Sequence, residues 1–231
     1  MKSLALDSTT ASLSLAILER EDVLAEKNIP AALNHSQYIF PEMEKLFRKS
    51  KTKLSELSFL AVNNGPGSFT GIRVGLTVAK TLAQCLKIPL ISFSSLDILA
   101  FRCLPWAGCI CPLIDALRRE IYSAVYLNDK KISDYYLGDF SGLLGKEKAL
   151  LEKDGLLFTG PAAVIHQKEI EKQFAGKKIS FADSRLSLPR APVLGLMAYR
   201  RFLAEKISKN SYREVLPLYI RRPYAEEKRL I

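Results

Sequence analysis

Residues 63–75, Asn-Asn-Gly-Pro-Gly-Ser-Phe-Thr-Gly-Ile-Arg-Val-Gly, constrain this chain more than any other stretch. They follow a short apolar run at 58–62 and open a long apolar stretch that ends at Lys87, the pattern of a buried strand feeding a helix through a tight turn. Helix starts of this kind suit phosphate, because the free amides of the first turn point at it. The side chains argue otherwise. A Walker-type loop sets a lysine directly after its second glycine, but here Ile72 follows Gly71. The dinucleotide spacing fails as well, since three residues instead of two separate Gly67 from Gly71. A cap, with Ser68 and Thr70 accepting hydrogen bonds from the first free amides, is the favoured reading over direct phosphate binding.

At about 100° per residue, Arg73, Thr77, Lys80, Gln84 and Lys87 fall on one narrow polar stripe of this helix. The remaining positions, among them Ile72, Val74, Leu76, Val78, Leu82 and Leu86, cover more than the roughly 100° that packing on one sheet requires. Either the helix is sandwiched inside its own domain, or one face awaits another protein. Gly71 and Gly75, one turn apart, are expected to let a partner helix approach closely.

Around this block the chain reads β-β-β-α-β-α. Apolar runs at 4–6 and 13–17 joined by Asp7-Ser8-Thr9-Thr10 form a hairpin, 23–28 adds a strand, 36–49 is a helix containing Pro41, and 89–93 is a strand. The second half starts again, with strands at 109–115, 121–127 and 131–137, a helix at 140–151, strands at 156–159 and 179–182, and a helix at 192–206. This duplication predicts two α/β domains, 1–104 and 105–231, with the last segment, about 212–231, packing back on the first.

A content of 48% apolar and 25% charged residues fits a globular chain. Asp7 interrupts the first apolar run, which argues against a signal peptide or membrane helix and for a cytoplasmic location. Cys85, Cys103, Cys109 and Cys111 read as small core residues. His35 and His166 each lack a second ligand at helical spacing, so no metal centre is expected. A net charge of +10 favours an acidic partner or nucleic acid. Its carriers are scattered, Arg118-Arg119 and Arg221-Arg222 among them, with no aromatic platform between them, so each group alone reads as solvated surface.

The block from Asn64 to Gly75, the opening Leu4-Ala5-Leu6-Asp7-Ser8-Thr9-Thr10, Asn34-His35-Ser36-Gln37, Ile114-Asp115-Ala116-Leu117-Arg118-Arg119-Glu120 and Pro217-Leu218-Tyr219-Ile220-Arg221 together resemble the bacterial TsaB family, also called YeaZ. The resemblance implies an α/β fold of two lobes, the actin, sugar kinase and Hsp70 type. It implies a non-catalytic subunit that pairs with the related TsaD and, with TsaE, serves threonylcarbamoyl transfer to adenosine 37 of tRNAs reading codons that begin with A. TsaD-like proteins hold a metal with His-x-x-x-His, whereas Ile39 and Ile170 stand four residues after His35 and His166.

Partner-binding residues implied on the two helices are His35, Tyr38, Ile39, Ser68, Phe69, Thr70, Gly71, Val74, Gly75, Val78 and Leu82, and the same surface is expected to form a homodimer when the chain is alone. Asp7, Ser8, Thr9, Thr10 and Asp115 would be remnants of a nucleotide site, with Leu117, Arg118 and Arg119 where glycines would admit a phosphate. That leaves room for weak binding of Mg–ATP or Mg–ADP, with no cofactor required, and tRNA is expected to be met through the complex. One rival is a small-molecule kinase or ATPase of the same fold. Another is a peptidase, for which two isolated histidines compose no triad or metal pair.

Overall fold

The computed structural model describes residues 1–30, 34–143 and 155–221. Two compact units emerge, one made of Met1–Ile98 with Pro189–Leu218, the other of Leu99–Leu188 with the chain from Tyr219 onward.

In the first unit, β1 (Lys2–Asp7), β2 (Ser12–Glu19) and β3 (Asp22–Pro30) form an antiparallel meander, followed by α1 (His35–Ser50). β4 (Leu57–Asn63) returns parallel to β1, α2 (Phe69–Leu86) follows the glycine loop, and β5 (Leu90–Phe93) lies parallel to β4, giving the order β3-β2-β1-β4-β5. Leu4, Leu6, Leu13, Leu15 and Ile17 point to one face, where they join Ile39, Met43 and Leu46 of α1 and Ile72, Leu76, Val78, Ala79 and Ala83 of α2 in a single core. The alternate residues face the helix at Ala191–Ala204. There Leu18 meets Gly195, and the Phe59 ring stacks on Phe202 at 4.8 Å. Burial on both faces explains why these strands read as nearly unbroken apolar runs.

The second unit carries β6 (Cys109–Asp115), β7 (Ile121–Ser123), β8 (Tyr126–Leu127), β9 (Lys130–Lys131), β10 (Tyr136–Gly138), β11 (Leu156–Thr159) and β12 (Ile179–Phe181). Its sheet runs β10-β7-β6-β11-β12, with β8 added on β6 and β9 on β8. The expected strand 121–127 is broken, because β7 pairs with the end of β6 and β8 with its beginning, while Val125 between them donates its amide to Ser133 Oγ at 2.9 Å. Phe140–Leu143 is helical, and the rest of the helix expected at 140–151 lies outside the described residues. Three short helices were not legible as such: α3 (Ser95–Phe101), α4 (Pro161–Ile165) and α5 (Gln167–Gln173).

Two expectations are corrected. The last long helix, here α6 (Ala191–Ala204), was assigned to the second domain but belongs to the first unit, where Ala191, Leu194, Met197 and Ala198 are buried and Ala191 N donates to Ser14 Oγ at 2.8 Å. The division of the chain therefore falls at Ile98 and again at Pro189 and Leu218, not once near residue 104. Of the cysteines, Cys109 and Cys111 are buried and Cys103 is half-buried, but Cys85 is exposed on the outer side of α2. No helix among the described residues is long and apolar enough to cross a membrane.

Candidate functional site

β1, β4 and β5 run parallel and end on one edge of the first unit's sheet, so Asp7, Asn63 and Ser95 meet there. The carboxyl ends of parallel strands are where ligand sites form in open α/β sheets. Here protein fills the edge. Thr9 donates its amide and its hydroxyl to Asp7 Oδ1, at 2.9 and 2.8 Å. Asn63 Nδ2 donates to Thr9 Oγ1 at 3.0 Å, and Asn63 Oδ1 accepts from Gly65 N and from Ser95 Oγ, each at 3.0 Å. The glycine loop then closes over the turn: Ser68 N donates to Thr9 O at 2.7 Å, and Ser8 Oγ donates to Gly71 O at 2.8 Å.

The glycines are needed for this seating. A Cβ on Gly67 would fall on Thr9 O, one on Gly71 on Ser8 O, and one on Gly75 on Ser8 Oγ. Gly71 and Gly75 therefore admit the hairpin turn of their own unit, not a partner helix. Ser68 is the N-cap, accepting from Gly71 N at 3.2 Å, whereas Thr70 stands exposed on the first turn and caps nothing.

Two buried groups beside this junction are pushed toward their neutral forms. Asp7 is 1% exposed and its Oδ2 has no hydrogen-bond partner; burial raises its pKa above the ordinary 3.8, against the opposing bonds from Thr9 and Asn63 and the nearby His35. His35 Nε2 lies 2.9 Å from Thr10 O, which can only accept, so Nε2 carries the proton and the buried Nδ1 is left unpaired. Burial lowers its pKa below 6.5, opposed by the Thr10 carbonyl and Asp7.

The proposed nucleotide remnants are thus unlike one another. Asp7, Ser8 and Thr9 are each 1% exposed, with the Ser8 and Thr9 hydroxyls committed to Gly71 O and Asp7, and Thr10 is half-buried, its Oγ1 within 3.3 Å of Ser12 O. Asp115, in the second unit, is exposed and accepts from Leu117 N at 2.7 Å. Arg221, read as a surface charge, is instead held by Ala116 O at 2.6 Å and by the Glu120 carboxylate. Arg222 lies outside the described residues.

Of the partner-binding residues, Tyr38 and Thr70 are exposed, and Ser68, Phe69, Val74 and Leu82 are half-buried. His35, Ile39, Gly71, Gly75 and Val78 are buried within the unit, which corrects their assignment to a partner surface. The breadth of apolar surface on α2 has an internal cause, since the helix packs on the sheet, on α1 and on the turn at Ser211–Arg213. What α2 leaves outward is Thr70, Arg73, Thr77, Thr81, Gln84 and Cys85, with Val74 half-covered, while on α1 Tyr38 and Phe40 are 41% and 57% exposed. Asn63 and Ser95, which tie the junction together, escaped the sequence reading; the only signal was an asparagine at a strand end two residues before a glycine.

The profile of a family described as TsaD, tRNA N6-adenosine threonylcarbamoyltransferase, matches residues 29–229. The tRNA threonylcarbamoyladenosine biosynthesis protein TsaB of Bacillus subtilis is 32% identical over 230 residues, covering 99% of this chain and 97% of that one. YeaZ from Pseudomonas aeruginosa, 24% identical, superposes with a TM-score of 0.73 over 95% of this chain and 99% of its own. A polyphosphate/ATP-glucomannokinase from Arthrobacter shares the fold at 10% identity, with a TM-score of 0.52 over 85% of this chain and 98% of that one. The fold is the α/β actin and sugar kinase type expected from the sequence.

Proposed function

Because this chain belongs to the TsaB family, within the wider family of tRNA N6-adenosine threonylcarbamoyltransferases, we propose that it serves tRNA threonylcarbamoyladenosine biosynthesis as the non-catalytic partner of a TsaD-type subunit. The observation that carries the non-catalytic part is the filled strand edge. In a phosphotransferase of this fold the first hairpin turn presents hydroxyls and amides to a nucleotide, whereas here the Ser8 hydroxyl donates to Gly71 O, the Thr9 amide and hydroxyl donate to Asp7, and the Thr9 carbonyl accepts from Ser68 N of the loop. The glycine loop supports a helix instead of a phosphate.

Pairing uses the outward side of α1 and α2, with Tyr38, Thr70, Val74 and Thr77 at its centre and TsaE joining the pair. Polar and small, such a stripe suits an interface anchored by a few aromatic side chains. tRNA is bound by the assembled complex, and the chain alone forms a homodimer through the same helices in a cytoplasmic setting. Reconstitution tests this reading: unmodified tRNA and threonylcarbamoyl adenylate incubated with TsaD and TsaE should be modified when this chain is added and not when it is omitted. Modification without it, or sustained ATP turnover by this chain on a small-molecule acceptor, would return the kinase reading to the front.

A further inference from the structure

The turn between β6 and β7 holds three consecutive non-glycine residues in the left-handed region, Leu117, Arg118 and Arg119, with φ of 62°, 56° and 62°. Each such residue is strained, and glycine would relieve the strain at every one of these positions. Strain persists where the surroundings over-determine the backbone. They do so here. Asp115 Oδ1 accepts from Leu117 N, Ala116 N donates to Glu120 O at 2.9 Å, Glu120 N donates to Leu117 O at 3.0 Å, and Arg221 clamps both Ala116 O and the Glu120 carboxylate. The result is a fixed tip that presents Arg118 and Arg119 to solvent, with Leu117 70% exposed between them and the strand.

We propose that this tip is a contact for the phosphodiester backbone of RNA, in which Arg118 and Arg119 bind phosphate oxygens from a preset geometry. Guanidinium groups match phosphate in a fork, and a rigid tip loses little freedom on binding. The carboxylates nearby limit the size of the contact. Glu120 is paired with Arg221, but Asp115 and Asp139 stand beside the tip and accept from Leu117 N and Gly142 N, so the contact reaches no more than one or two phosphates of the RNA backbone. The net charge of +10 supplies the long-range attraction. The choice of tRNA as the RNA rests on the function proposed above.

The test is a titration of unmodified tRNA with the full chain, alone and mixed with the TsaD-type subunit, over a series of salt concentrations. Each lost phosphate contact lowers the slope of log affinity against log salt by about 1, so the Arg118→Gln/Arg119→Gln variant should be shallower than wild type by about 2. Leu117→Gly relieves strain, keeps both arginines and should keep the slope. An unchanged slope in the double arginine variant overturns the proposal, and an unchanged slope combined with lost pairing to the TsaD-type subunit identifies the tip as a protein contact instead. Light scattering reads wild-type pairing independently: a chain that fails to pair refutes the function proposed above, while the slope difference in the chain alone still decides this inference.

Discussion

The turn after β1 and the turn after β6 both begin with an aspartate at the last position of a strand, Asp7 and Asp115, and each carboxylate accepts from the amide two residues on. From that shared start they diverge. Asp7 is 1% exposed under a lid of loop and helix, whereas Asp115 is exposed and the residue two further on protrudes into solvent. The cause lies in the loops that follow the neighbouring parallel strands. After β4, Gly67, Gly71 and Gly75 let the loop and α2 close on Ser8 and Thr9. After β11 there is Gly160, whose missing Cβ accommodates the Leu113 backbone within β6 and leaves the turn itself untouched. One local motif becomes a sealed junction or a projecting tip according to the number of glycines opposite it.

Substitutions at these turns should break or sharpen that contrast. The largest effect is expected from Gly71→Ala, which drives a methyl group into Ser8 O; a loss of roughly 3 kcal/mol in urea unfolding follows from overpacking against backbone that cannot move aside. A loss below about 0.5 kcal/mol would show that the turn is not seated on α2.

Asp7→Asn comes next, with the opposite sign. It removes a buried charge and keeps an oxygen for Thr9, so the unit should gain on the order of 1 kcal/mol at neutral pH. The pH response follows from the same burial. Asp7 titrates above 3.8 when folded, so its stabilising share is complete below 3.8 and is lost as pH rises through the raised value. His35 titrates below 6.5 when folded, so its share is present above 6.5 and is lost as pH falls toward the lowered value. Urea midpoints measured against pH should show both limbs in the wild type and only the His35 limb in Asp7→Asn. Identical profiles would contradict the account of the junction.

The smallest effect belongs to the projecting turn. Leu117→Gly relieves a left-handed backbone, against the extra freedom glycine gives the unfolded chain, so a net gain of about 0.5 kcal/mol is expected in the same assay. A loss would mean that the Leu117 side chain holds the turn together.

Much of the first unit was legible because its signals are local. The apolar runs marked β1, β2 and β4, and Ser68 before an apolar stretch marked α2. What the residues could not disclose was assignment across distance. α6 carries an apolar face that would suit either sheet, and only its placement on β1 and β2 decides, so the domain boundary was misplaced. The site fared likewise. The wide apolar surface of α2 has the same pattern whether a partner or the helix's own α1 and Ser211–Arg213 turn covers it, and Val78 and Ile39 were therefore read as interface when they are core. The buried state of His35 and the role of Ser95 depend on the convergence of three strand ends, which no spacing along the chain reveals.

The central claim is that this chain works through the outward side of α1 and α2 as a partner of a TsaD-type subunit. Light scattering of the chain mixed with the TsaD of its own organism tests that most directly, with Thr77→Glu as the variant, because Thr77 is exposed and its replacement leaves the core intact, unlike Val78→Glu. The account predicts a one-to-one complex for the wild type and at least a tenfold weaker one, about 1.4 kcal/mol, for a folded Thr77→Glu. Absence of a complex in the wild type, or undiminished pairing in Thr77→Glu, would contradict it.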